Sequence, residues 1–377
     1  MKNMNNPVDR LTDMERQEAD LKYTRKPRNT SLECFVLYNE MGIHTMELHY
    51  LIPPQSNELS LIWKVLKGGE RYPKRFSMAG LIPGLFAEML GHEYCPVLKL
   101  LVNPRVMVDG MEGYLGITSY DADTLLRCQD LFDRFWACNN IGIRMENCLI
   151  ARVDLCVDLI MPEWFSIPEY LDLLKRTPRK KSFILQHYED TAMERHQFKI
   201  ANQNWGLSVY DKSFEQKLYP ANADKEYPNI LRVELQLYRA AIGKAAQKLP
   251  AGNVPMLLEL MIQTPALLCT KIRDMLGCDP YVSQEKLRAC IEQSAYQGKT
   301  KNELWKIQHF LYRTDDFEKV ADELRIAYGK SAYHRLLRCY REMGAAPVPL
   351  RKRSGLRKLP SLFALVGGAI YHMLNQE

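Results

Sequence analysis

Apolar and polar residues alternate with a period of two through much of the first 240 positions, which is the pattern of strands with one face in a core. Strands are predicted over 32–38, 44–52, 59–66, 95–102, 148–160, 182–188, 196–201, 206–212 and 230–238. Between them, 79–90, 122–138 and 168–177 carry apolar residues at helical spacing. From Arg239 onward the strand pattern stops. The remainder predicts successive amphipathic helices, clearest over 285–296, 302–312, 316–328 and 331–344, the last opened by Ser331 and closed by Gly344. The expected fold class is therefore α+β: a flexible tail over 1–30, an antiparallel-sheet domain over 31–245 and an all-helical C-terminal domain over 246–377.

Three of these strands are unusual in what they place on their second face. In 152–159, Val153, Leu155, Val157 and Leu159 oppose Arg152, Asp154, Cys156 and Asp158. In 207–212, Leu207 and Val209 oppose Ser208, Tyr210 and Lys212; in 231–238, Leu231, Val233, Leu235 and Leu237 oppose Arg232, Glu234, Gln236 and Tyr238. An antiparallel sheet with one solvated face accounts for such polar positions without any function. Aspartate is disfavoured in strands, however, and two of them interrupt one strongly apolar strand. Carboxylates from neighbouring strands can hold a hard divalent cation such as Mg²⁺ or Mn²⁺. A tyrosine and a lysine on the same face then suit phosphodiester chemistry. The phenol, with an ordinary pKa of about 10, needs a cation or a base to become a nucleophile. Lys212 would stabilise the phenolate or neutralise phosphate charge, and the metal would stabilise the leaving oxygen.

Composition adds limits. With 377 residues, 46% hydrophobic and 25% charged, the chain is neither disordered nor collagenous. The 51 Lys and Arg against 45 Asp and Glu leave +6, a mild excess compatible with nucleic acid. Ten cysteines without a CxxC pair exclude a usual structural zinc site, and together with the polar N-terminal segment they predict a cytoplasmic protein. The apolar run 361–374 is shorter than the ~20 residues of a membrane span and contains Gly-Gly, so it predicts a packed helix and no stable membrane association. Basic clusters lie at 22–28, 175–181 and 351–358. The middle one, with Lys175, Arg176, Arg179, Lys180 and Lys181, falls between the Asp154 and Tyr210 strands and is the candidate for gripping phosphates. Trp205 is a candidate base-stacking platform or a core residue, and Arg335 heads a set of arginines on a C-terminal helix.

In this order along the chain, LKLLVNPRVMVDG (98–110), IARVDLCVDL (150–159), SVYDKSFE (208–215), ILRVELQLYRAAI (230–242) and the segment 310–350 resemble motifs of the replication initiators of filamentous phages and related plasmids. These are nicking-closing endonucleases of rolling-circle replication. The resemblance implies that Tyr210 is the nucleophile, that Lys212 and Glu215 belong to its segment, and that Arg152, Asp154, Arg232 and Glu234 are site residues. Metal ligands are expected at Asp154 and Glu234, with Asp158 and His196 as additions, since none of the eight histidines forms the His-hydrophobic-His pair of many other nickases. The implied function is origin nicking through a phosphotyrosine, priming of replication and rejoining of the displaced strand in a bacterial host. Its partners would be origin DNA, double- and single-stranded, and the host helicase and polymerase. A plasmid mobilisation relaxase and a non-catalytic DNA-binding regulator are the alternatives.

Overall fold

The computed structural model describes residues 37–53, 56–71, 78–91, 96–110, 117–119, 122–187, 191–218 and 226–374. The tail 1–30, the basic cluster 22–28 and most of the strand expected at 32–38 lie outside the described residues.

The main strands are β1 (Leu37–Leu51), β2 (Ala79–Ile82), β3 (Leu85–Leu90), β4 (Val97–Val102), β5 (Leu149–Ile160), β6 (Gln197–Ala201), β7 (Trp205–Asp211) and β8 (Ile230–Tyr238). With three two-residue strands they form one 11-stranded sheet, in the order β2-β3-β4-β1-β5-β8-β7-β6. Every pairing within it is antiparallel. The three polar-faced strands of the sequence, β5, β8 and β7, are thus immediate neighbours.

Two early expectations are corrected. The run at 59–66 is a helix, α1 (Glu58–Gly68), because Leu59, Ile62 and Leu66 repeat at helical spacing and Ile62 is fully buried. The segment 79–90 is a hairpin, β2–β3, because Pro83-Gly84 turns the chain; Gly84 has φ 76, and a Cβ there would meet the backbone of Asn103 and Met107 at 2.6 Å. The strand expected at 182–188 shrinks to Ile184–Leu185. Helices α2 (Ala122–Cys138) and α3 (Ile167–Arg176) stand where the sequence puts them, α3 capped by the Ser166 hydroxyl accepting from Glu169 N–H.

The C-terminal part holds α4 (Asn253–Leu276), α5 (Gln284–Gln293), α6 (Gly298–Arg313), α7 (Glu318–Tyr328), α8 (Lys330–Glu342) and α9 (Leu362–Leu374). It is not wholly helical, since Tyr281–Val282 pairs with Lys358–Leu359. Helix α3 packs on β6 and β7, while α4 and α9 pack on each other and on β1 and β5. One apolar core therefore runs from Met41 in the first strand to Ala369 in the last helix, without a break near residue 245. Leu365, Val366 and Ala369 of α9 are fully buried, and no helix among the described residues is long and apolar enough to cross a membrane. The second face of the sheet is also buried: Asp154, Asp158, Arg232 and Glu234 are 0–6% exposed, which corrects the expectation of a solvated polar face.

Candidate active site

Strand register brings the polar residues into rows across the sheet. Gln197, Tyr210, Arg232 and Asp158 form one row; Lys199, Ser208, Glu234 and Cys156 form the next; Gln236 and Asp154 follow. Side chains in a row, or diagonally offset by two residues, are within reach of one another.

Tyr210 Oη donates to Glu234 Oε1 at 2.7 Å. His44 Nδ1 lies 2.9 Å from the same oxygen. An ionised carboxylate only accepts, so the histidine proton sits on Nδ1 and the imidazole donates. Sequence alternation did not reveal His44. It occupies a register shift of β1 between Ile43 and Thr45, and this bulge aims it at the polar face beside neighbours that point to the core.

Charges on the face are mostly matched inside the fold. Arg232 makes a two-pronged pair with Asp158, both bonds 2.6 Å, and both residues are at most 1% exposed. Lys212 Nζ contacts Glu215 Oε2 at 2.7 Å and lies 6.0 Å from the centre of the Tyr210 ring. Arg152 Nε is 3.0 Å from Asp154 Oδ1 and its Nη1 is 3.6 Å from Glu47.

Burial dominates the ionisation of these groups. It pushes the Tyr210 hydroxyl well above the usual tyrosine range, and the Glu234 and Glu215 charges add to the effect. Burial alone would raise Glu234, but His44, Arg232 and the tyrosine hydrogen bond overcome it and hold the carboxyl at about 2. Asp154 goes the other way, to about 7, because burial and Glu234 together outweigh Arg152. Lys212 falls below its ordinary value by burial despite Glu215. His44 also falls, through burial and Arg232, although Glu234 acts to raise it.

The remaining expected site residues divide between engaged and exposed. His196 is part of the scaffold: its ring stacks on Phe214 at 3.5 Å, and its Nδ1 is 3.1 Å from Asp211 Oδ2. Asp211 in turn caps the short helix Lys212–Lys217 through Phe214 N–H, so this set holds the turn that follows Tyr210. Arg176 and Arg179 are 2% and 7% exposed, which corrects their expected role as surface phosphate contacts. Arg176 donates to the carbonyls of Leu311 and Pro349, and Arg179 pairs with Asp316 and Glu318, so both fasten the end of α3 and the residues after it to the C-terminal part of the chain. Lys175 Nζ donates to the Glu194 carbonyl, whereas Lys180 and Lys181 are exposed. Trp205 is half-buried under Lys271, 4.2 Å from its ring centre. Arg335 is exposed on α8, 3.3 Å from Glu303.

A divalent cation fits part of the expected ligand set. Asp154 is met by Arg152 at Oδ1 alone, and Glu234 uses Oε1 for both of its donors. Asp154 and Glu234 project diagonally from adjacent strands, Asp154 lying opposite Gln236. Two carboxylates completed by water suit Mg²⁺ or Mn²⁺. Asp158 does not fit, because Arg232 occupies both of its oxygens. Among the described residues no group of three or more His, Cys, Asp and Glu side chains stands in metal-holding geometry, so water would supply the other ligands.

No protein-family model matches the chain, and no curated protein matches it. Among solved structures the chain is similar to the rolling circle replication initiator protein from Geobacillus stearothermophilus, at 14% identity and a TM-score of 0.30, over 63% of this chain and 85% of that one.

Proposed function

We propose that the protein is a DNA-nicking replication initiator that cleaves one strand at an origin through a covalent phosphotyrosine on Tyr210. The observation that carries this reading is the 2.7 Å bond from Tyr210 to Glu234 on a face that also bears Arg232, with Lys212 Nζ 6.0 Å from the tyrosine ring. A phenol, an acceptor for its proton and cations for phosphate charge are the parts that phosphodiester transfer needs. The motif order from residue 98 to 350 supports the same reading.

Before DNA engages, the proton stays on Tyr210, because its pKa lies far above that of Glu234. Transfer is favourable only as the Oη–P bond forms and the phenol loses basicity. Tyr210 Oη then attacks phosphorus, its proton passes to Glu234 Oε1, and the P–O3′ bond breaks with its electron pair going to the 3′ oxygen. That oxygen takes a proton from water and becomes the 3′ hydroxyl that primes synthesis. Rejoining is the reverse: a 3′ hydroxyl attacks the phosphotyrosine and Glu234 returns the proton. Asp154 and Glu234 would hold Mg²⁺ or Mn²⁺, which would supply positive charge to the scissile phosphate. Arg232, fixed by Asp158, and Lys212, fixed by Glu215, are held in place beside Tyr210 without side-chain rearrangement.

The test is incubation with a supercoiled plasmid carrying the origin, in Mg²⁺, followed by denaturing electrophoresis. Wild type yields nicked circles and a protein–DNA adduct, while Tyr210→Phe yields neither. Equal nicking by Tyr210→Phe overturns the proposal. Tight origin binding with no adduct from wild type supports a non-catalytic regulator.

A further inference from the structure

Strand β6 brings one more cation to the catalytic face. Phe198 and Ile200 are 1% and 0% exposed in the core, so Gln197 and Lys199 must project to the opposite side. Lys199 pairs with Ser208 and is diagonal to Tyr210, two residues along β7. Its long side chain therefore shares the face on which Tyr210 and Glu234 stand, with Asp154 and Glu234 among the charges that act on it.

Among the described residues, Lys199 is set apart by having no carboxylate in contact with its ammonium. Arg232 is matched by Asp158, Lys212 by Glu215, and Arg152 by Asp154. The Lys199 ammonium makes no ion pair or hydrogen bond with any of the described residues. It is half-buried, and Asp154, Glu234 and Arg152 act on it only at longer range. A half-buried ammonium without a partner is costly, and an anion that reaches it recovers that cost. The anion must come to a face where Tyr210 waits and where the other cations are already neutralised.

We propose that Lys199 binds the scissile phosphate beside Tyr210, so that the site takes a phosphodiester of single-stranded DNA with Lys199 as its first cationic contact. This rests on the nicking reading, and the experiment separates the two. Lys199→Gln, Lys199→Met and Lys199→Arg are compared with wild type in single-turnover cleavage of an origin oligonucleotide. Each is also compared in equilibrium binding of that oligonucleotide, without divalent cation, over a range of salt.

For Lys199→Gln and Lys199→Met the expected result is a cleavage rate about 100-fold lower, the usual cost of removing one preorganised charge-stabilising group. Their salt slope becomes shallower by about 0.7, the value of one neutralised phosphate on a single strand. Lys199→Arg restores most of the rate, and thermal unfolding is close to wild type, which a merely structural lysine would not give. Cleavage within about threefold of wild type by a folded Lys199→Gln or Lys199→Met, with an unchanged slope, overturns the assignment. If wild type forms no adduct at all, the nicking reading fails, and the salt slope still decides whether Lys199 meets phosphate.

Discussion

Tyr210 donates its hydroxyl proton to Glu234 at 2.7 Å across two adjacent strands, and the partner is an anion held at about 2. In the proposed reaction this pair is the neutral nucleophile beside its proton acceptor. Because Glu234 helps raise the tyrosine pKa, Glu234→Gln should lower that pKa, read as the difference between ultraviolet titrations of this variant with and without Tyr210→Phe. The same variant should cleave about 100-fold more slowly, since it cannot take the proton. An unchanged rate would remove Glu234 from the acceptor role.

Asp154 carries a pH signature of the opposite sign to most acids. Its pKa is about 7 in the fold against an ordinary value of 3.8. Between those limits the folded protein binds more protons than the unfolded chain, so this residue makes stability fall as pH rises from about 4 to 7. Asp154→Asn should flatten that slope and be more stable than wild type at pH 8 in urea titrations without metal. It should also weaken Mg²⁺-dependent cleavage while leaving oligonucleotide binding in EDTA intact.

Asp158 belongs to the interior, and its loss should read as instability. Removing one partner of a fully buried ion pair costs about 3–5 kcal/mol, because the other charge is left unmatched. Asp158→Asn is therefore expected to lower the midpoint of denaturant unfolding with and without Mg²⁺ alike. A variant of normal stability and lost metal dependence would return Asp158 to the ligand set.

The basic run 175–181 should split into two behaviours. Arg176→Ala removes a guanidinium that ties α3 to the carbonyls of Leu311 and Pro349, so it should destabilise the fold with no change in the salt dependence of DNA binding. Replacing exposed Lys180 and Lys181 together by alanine should do the reverse. The slope of log affinity against log salt should become shallower by about 0.7 for each phosphate of single-stranded DNA that is no longer neutralised, at unchanged melting temperature.

The strands β5, β7 and β8 were legible because Leu and Val recur at every second position, which fixes which side chains share a face before any partner strand is known. That Asp154, Tyr210 and Glu234 share one face follows from the same periodicity plus the adjacency of the strands. His44 was not legible, since a one-residue bulge breaks alternation locally and leaves no periodic trace. Nor was the commitment of Arg176, Arg179 and Asp158, because a charged residue reads the same in sequence whether water or a buried partner receives it. The α1 and β2–β3 assignments failed where short apolar runs fit both periods, and in the second case the Pro-Gly turn was the deciding signal.

The packing of α4 and α9 on β1 and β5 has a consequence for synthesis of the protein. Tyr210 and Glu234 leave the ribosome well before Leu365, Val366 and Ala369, which complete the apolar side of the same sheet. Until then β1 and β5, the latter the direct neighbour of the Glu234 strand, have a partly uncovered hydrophobic back. A chain interrupted before its last helix should be a substrate for chaperones and proteases, so a fully covered sheet arrives only once α9 has been made.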